Sequence, residues 1–268
     1  MKKPLSKSIK TLFGLSILGY NIMVNIETAF FAIFLTDTVK FPIHLVGAIM
    51  LAASTIDYII SPLSGAVINA VKPMKWGRIR SWLLVAPPLV IPFYLLQFSN
   101  FGNGILSAVI IFLGYVISHA LWNIAFTADI ALIPNMSPST DARLKLSSNR
   151  MLYSNLGRLT SNYLTPIILL SLTAYFANES IGYSVLVFGA TVIMCLCFFN
   201  DFFITKGYEN QSSGQDSAVA PKQDRIKFKD QIAVFKKNGN LLALMISDLT
   251  SNVGSFLLPA LAVYYYKY

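Results

Sequence analysis

Apolar residues run along this chain in blocks of bilayer length, not in the short alternations of a half-buried strand. The blocks fall near residues 12–36, 43–70, 82–99, 104–134, 150–176, 181–204 and 240–265. A helix crosses the hydrocarbon with roughly 20 apolar residues, so the pattern predicts seven transmembrane helices. The second, fourth and fifth blocks are interrupted by polar residues, which points to helices that line an interior pathway. The start, MKKPLSKSIKTLFGLSILGYNI, has the basic region of a signal peptide, but no small-residue cleavage site follows and the apolar stretch runs on to about Leu35. It reads as a retained first helix.

Composition agrees with this reading. The chain of 268 residues is 55% hydrophobic and 12% charged, with a mean hydropathy of +0.60. A soluble domain carries about 25% charged residues, so the surroundings are a lipid bilayer. Basic residues then set the orientation. Lys2, Lys3, Lys7 and Lys10 precede the first block, Lys72, Lys75, Arg78 and Arg80 follow the second, and Arg143, Lys145 and Arg150 follow the fourth. Lys206, Lys222, Arg225, Lys227, Lys229, Lys236 and Lys237 follow the sixth, whereas the turns at 37–42, 98–104 and 176–181 hold only Lys40. The amino terminus is therefore expected in the cytoplasm and Tyr268 outside. The net charge of +9 belongs to cytoplasmic loops and not to a nucleic-acid surface. Cys195 and Cys197 are too close for an unstrained disulfide and have no second Cys or His pair with which to hold a metal. They read as free apolar side chains.

The stretch 205–239 differs from the rest. ENQSSGQDSAVAPKQDR is polar and lacks aromatics, as a linker does. The lysine-rich segment after it carries Ile226, Phe228, Ile232, Val234 and Phe235, the pattern of an interfacial amphipathic helix. The expected organisation is a six-helix bundle over 1–204, a basic cytoplasmic loop over 205–239, and one further helix over 240–268. Six helices, a long basic loop and six more is the plan of major facilitator transporters, whose halves are repeats. The fold class is thus all-α integral membrane, a major facilitator-type bundle whose second half is expected to stop after its first helix.

Charges inside a bilayer cost roughly 2.5–3.5 kcal/mol each on insertion and are functional candidates by default. Glu27, Asp57, Asp129 and Asp248 are the acidic cases. Asp57 and Ser61 lie four apart on one helical face, with Ser54 and Thr55 close by. A carboxylate among hydroxyls can bind Na⁺ or carry a proton; alternatively it pairs with an arginine or caps a helix broken at Pro62. On the first helix Asn21, Asn25 and Thr28 form a polar face, with Tyr20 and Glu27 adjacent. On the fourth, His119, Trp122, Asn123, Phe126 and Asp129 mix aromatic faces with hydrogen-bonding groups. Such a mixture suits a sugar ring, which offers apolar C–H faces and a rim of hydroxyls. The alternative is that these polar groups glue helices together, and His119 by itself reads as a packing histidine. Arg150 and Arg158 are eight apart on the fifth helix, either of them able to neutralise Asp57 or Asp129.

Several stretches, taken in order, resemble the glycoside–pentoside–hexuronide:cation symporters, the melibiose permease-like family. They are FLTDTV, STIDYIISPLSGAVINAVKPMKWGRIRSWLL, ARLKLSSNRMLYSNLGRL and the terminal LAVYYYKY. The family pattern D-x-x-x-(D/N)-P-x-x-G followed by W-G-(K/R)-x-(K/R)-x-W is met here by Asp57, Ser61, Pro62 and Gly65, then Trp76, Gly77, Arg78, Arg80 and Trp82. The resemblance implies a cation site on helix two. Asp57 matches its first acidic position and Ser61 replaces the second, so Na⁺ and H⁺ both stand as coupling ions. The family's sugar-binding aspartate on helix one falls at Asn21, beside Tyr20. The carboxylate of helix four falls at Phe126 or Asn123, with Asp129 within a turn, and Arg150 matches the arginine that opens helix five. Lys75, Arg78 and Arg80 would form a cytoplasmic latch between the halves.

The expected function is therefore cation-coupled symport of a sugar or glycoside, with no cofactor beyond the coupling ion. Two other classes stand beside it: a half-transporter or sensor that needs a separate partner, and a membrane enzyme. The chain holds no HExxH, GxSxG or paired-histidine motif to support the last.

Overall fold

A computed structural model of the chain describes residues 5–136 and 139–209, with five single positions between 239 and 265. The chain divides into two units, Met1–Gln211 and Ser212–Tyr268; the first holds every helix named below. Most of the linker and of the seventh block, and all of the amphipathic segment at 226–235 and Asp248, lie outside the described residues.

The helices of the first unit are α1 (Lys7–Leu12), α2 (Leu15–Ile33, continued by a wider turn over Phe34–Thr38), α3 (Ile43–Ile60), α4 (Ser64–Ala70), α5 (Trp82–Gln97), α6 (Ile105–Met136), α7 (Thr140–Phe176) and α8 (Glu179–Ile204). Ser6 opens α1 by accepting the Ile9 amide on its hydroxyl, and Asn178 opens α8 by accepting the Ile181 amide. Such caps satisfy donors that the first turn leaves orphaned. The first apolar block is split at Gly14, whose φ of +100° a residue with a Cβ would adopt only under strain. A Cβ there would also lie 2.8 Å from the Arg150 side chain. The second block is split at Ser61–Leu63, a tighter turn with Pro62 near its start, because proline has no N–H to give to the helix ladder.

Five of the sequence blocks meet their helices closely; the block at 150 does not. α7 begins ten residues earlier, at Thr140, since TDARLKLSSN is polar enough to escape a hydropathy reading yet forms helix. At about 1.5 Å per residue α7 is about 56 Å long, well beyond the roughly 30 Å of hydrocarbon. Lys7–Thr38, Ile43–Ile60, Ile105–Met136 and Glu179–Ile204 are long and apolar enough to cross a membrane, and Trp82–Gln97 is a shorter apolar helix. The chain is a multi-pass membrane protein. Cys195 and Cys197 are free and buried in α8.

Packing is uneven, and that positions the site. α2 lies against α7 and α8, and α5 against α6 and α8. Close approach needs small residues: a Cβ on Gly157 of α7 would sit 2.6 Å from the Leu18 carbonyl of α2. Aromatic rings seal one end, with Phe34 5.4 Å from Phe98 and 5.1 Å from Tyr183. α3 and α4, by contrast, pack chiefly on α6, and only 17% of the α3 apolar window is buried against 44–56% for the other three spans.

Candidate functional site

The polar interior is built along α6. His119 and Asn123 are one turn apart on the face that meets α2, α3 and α5, and they collect acids from two of those helices. His119 Nε2 lies 2.8 Å from Glu27 Oε1 on α2, and its Nδ1 lies 3.2 Å from Asp57 Oδ1 on α3. Asn123 donates to the same Asp57 oxygen at 2.8 Å. Gln97 of α5 donates to the other Glu27 oxygen at 3.0 Å, and Ser118 donates to the Gln97 side-chain oxygen Oε1 at 3.3 Å. The His119 and Glu27 side chains are 7% and 11% exposed, that of Asp57 31%. The cluster thus opens on its Asp57 side.

Next along α6 comes a layer of rings. Tyr20 stacks on Phe126 at 4.9 Å and meets Trp122 edge-on at 5.6 Å. Trp122 in turn lies 4.0 Å from the His119 ring, which stacks on Tyr115 at 3.8 Å. Asn21, buried beside this layer, donates to the Ile17 carbonyl at 2.8 Å and to the Ser154 hydroxyl at 3.1 Å. Its own carbonyl oxygen accepts from Arg158 at 3.5 Å. Asn25 and Thr28 spend their donors on the Asn21 and Val24 carbonyls of their own helix.

About 15 Å further, ten residues at a 1.5 Å rise, lies a second ionic station. Asp129 pairs with Arg150 of α7 and accepts from the Ser16 hydroxyl at 2.9 Å. Both partners are buried, Asp129 at 1% exposure and Arg150 at 8%. Asp201 of α8 accepts the backbone amides of Gly14 and Ser16 at 3.2 Å each, capping α2 from a neighbouring helix, where a carboxylate also meets the positive end of the helix dipole. The Arg150 guanidinium lies 5.7 Å from the Phe126 ring, so it faces the aromatic layer as well.

A family model described as MFS/sugar transport protein matches residues 12–268. The chain belongs to this family. It is 23% identical to the uncharacterized symporter YnaJ of Bacillus subtilis (strain 168), over 98% of this chain and 57% of that protein. It is 24% identical to the putative sulfoquinovose importer of Escherichia coli (strain K12), over 97% of this chain and 54% of the importer. The raffinose carrier protein of Pediococcus pentosaceus is 21% identical, over 97% of this chain and 42% of the carrier. The chain spans about half the length of the curated relatives it matches. The described helices are accordingly those of an MFS-type bundle.

Within this MFS bundle, the structure gathers some of the residues singled out in the sequence and separates others. Asp57 and Asn123 meet directly; Tyr20, Trp122 and Phe126 form one layer; Asp129 and Arg150 form one pair. Thr55 and Ser61 do not join Asp57. Thr55 is exposed and its hydroxyl donates to the Leu51 carbonyl at 2.7 Å; Ser61 is exposed, and its carbonyl accepts from Ser64 at 2.7 Å. In the 75–80 loop, Arg80 Nε donates to the Phe202 carbonyl at the end of α8 at 2.8 Å, and the guanidinium lies 4.2 Å from the Phe202 ring. Glu209 accepts the Ile79 and Arg80 amides at 2.9 Å each, over a turn in which Gly77 has a φ of +115°. Burial lowers the Arg80 pKa and Glu209 opposes the shift. Lys75 lies 6.0 Å from the Trp76 ring, and Arg78 Nε is buried without a hydrogen bond. Arg80 thus ties the loop to α8 of the same unit.

Sequence reasoning named Glu27 and His119 without joining them and passed over Asp201. Glu27 and His119 were visible as intramembrane polar residues, but 92 positions separate them and neither follows a motif. Asp201 lies near the end of an apolar block and was not singled out in the sequence.

Proposed function

We propose that this chain forms the sugar-binding, ion-coupled part of a secondary active symporter that carries a sugar or glycoside across the cytoplasmic membrane by alternating access. The observation that carries the reading is the layering along α6. The Glu27–His119–Asp57 cluster and the Asp129–Arg150 pair flank a layer of Tyr20, Trp122 and Phe126 rings. Rings supply apolar faces for a pyranose, and Asn21, Asn123 and the ionic groups supply hydrogen-bond partners for its hydroxyls. Asp57, on the open side of its cluster, holds the coupling charge. The substrate crosses unchanged, so the activity is transport and not catalysis. The relatives named for sulfoquinovose and raffinose support a carbohydrate cargo. The amino terminus and the basic loops face the cytoplasm, as the positive-inside rule directs.

Alternating access rocks two helical halves about a central site.

The test is uptake into proteoliposomes of radiolabelled sugars, headed by raffinose and sulfoquinovose, under imposed pH or sodium gradients. The chain is assayed alone and beside a longer gene product or a co-expressed second half. Accumulation driven by an ion gradient in any of these preparations supports symport. Sugar movement indifferent to every gradient overturns coupling, and failure of all sugars to move or bind overturns the carbohydrate assignment.

A further inference from the structure

Both ring nitrogens of His119 face carboxylates, but not in the same way. Nε2 is in hydrogen-bond contact with Glu27 at 2.8 Å. Nδ1 lies 3.2 Å from Asp57 Oδ1, yet it is off the hydrogen-bond direction and is buried without a hydrogen-bond partner. A neutral imidazole has one N–H and one lone pair. Nε2 carries the hydrogen, donated to Glu27, and the Nδ1 lone pair is left beside a carboxylate oxygen. A lone pair against a carboxylate is repulsive, and a proton on Nδ1 turns that contact into an attraction.

The surroundings hold this arrangement in place. Gln97 fixes Glu27 through its second oxygen, and Asn123 fixes Asp57. The partners so placed around the two carboxylates are nitrogens of Gln97, Asn123 and His119, joined by the Tyr115 hydroxyl on Glu27. Alkali and other hard cations need oxygen ligands, and the nearby hydroxyl of Thr55 is bonded to Leu51. The titratable groups of the packed helices that lie around the ring are Glu27 and Tyr20 of α2, Asp57 of α3, Tyr94 of α5, and Tyr115 of α6; the three tyrosines are neutral phenols. On α7, Arg150 and Arg158 are bonded to Asp129 and Asn21 instead, and on α8 Asp201 is bonded at the α2 terminus. The imidazole is therefore the one group among these that two carboxylates address at once.

We propose that Glu27, His119 and Asp57 form a proton-binding site in which His119 takes up and releases the coupling proton through Nδ1. This deepens the symport reading and rests on it, committing the coupling ion to H⁺. The step adds one proton to the Nδ1 lone pair and breaks no other bond, and the cluster charge rises by one. Asp57 is the more exposed of the two acids, and its helix packs chiefly on α6. Displacement of α3 carries Asp57 away from the imidazolium, which removes half of its charge compensation and releases the proton.

The test uses the whole chain in lipid nanodiscs with ¹⁵N-labelled histidine, His44→Gln serving to assign the two rings. As pH falls from about 10 to about 5, a window that reaches from above the ordinary imidazole range to below it, His119 Nδ1 is expected to gain a proton. Asp57→Asn and Glu27→Gln each lower the midpoint by about 1 to 3 units, the usual effect of removing a neighbouring opposite charge. Replacing sodium by choline leaves the unmutated midpoint where it was, a measurement that needs no variant to fold. A ring that stays neutral or stays charged throughout, a midpoint indifferent to both substitutions, or a midpoint that moves with sodium overturns the proposal. Sugar uptake is scored separately. Movement without His119 titration keeps the transport reading and sinks this one; titration without movement keeps the proton site but removes its coupling role together with the transport reading.

Discussion

Arg150 and Asp129 close an ion pair between α7 and α6 in the interior of the bundle, 21 residues apart in sequence and both nearly inaccessible. Ser16 adds a hydrogen bond to the same carboxylate, and a Cβ on Gly14 would press on the arginine stem. Three helices are joined at this one point.

Breaking a buried pair leaves an uncompensated charge, at a cost of about 3–5 kcal/mol, whereas replacing both partners by apolar groups is often neutral. Arg150→Met and Asp129→Leu are each expected to lower the thermal midpoint of the detergent-solubilised chain, and the double variant to recover most of the loss. Fluorescence-detected gel filtration after heating reads this directly. Additive losses in the double variant would mean that the two groups are not a pair.

Asp57→Asn is expected to abolish ion-driven accumulation of sugar while leaving downhill exchange in the transport-competent protein. Asn still accepts from Asn123 but carries no charge to exchange. Counterflow measured beside gradient-driven uptake separates the two effects, and normal accumulation by the variant removes Asp57 from coupling.

Trp122 is 3% exposed and touches Tyr20, Tyr94 and His119. Truncation to Ala would cost about 3–5 kcal/mol through the cavity alone, so Trp122→Phe is the cleaner probe. It is expected to weaken sugar binding several-fold with little change in thermal midpoint. Unaltered half-saturation would take α6 out of the substrate site.

Gly157→Ala forces a Cβ to 2.6 Å from the Leu18 carbonyl and 3.1 Å from its Cα. Overpacking of this kind costs about 1–3 kcal/mol, and the α2–α7 contact is expected to open. Gly47→Ala meets nothing within 4 Å and is expected to be neutral or stabilising by up to about 1 kcal/mol. The pair, compared by thermal midpoint, separates helix propensity from helix approach.

The sequence by itself determined the membrane class, the places of the described helices to within a few residues except at α7, and which polar residues lie inside the bilayer. Those properties depend on the length and hydropathy of local stretches. It also grouped His119, Trp122, Asn123, Phe126 and Asp129 on one helix and marked Asp57 and Arg150 as candidates, because helical spacing fixes which side chains of one helix share a face. Only the tertiary structure decided who meets whom. Arg150 took Asp129 while Asp57 went to His119 and Asn123, Glu27 reached His119 across 92 residues, and Asp201 became the cap of another helix. Partner choice depends on how far each helix is rotated about its axis and slid along it, and that follows from contacts such as Gly157 on Leu18. No local window of sequence contains those contacts.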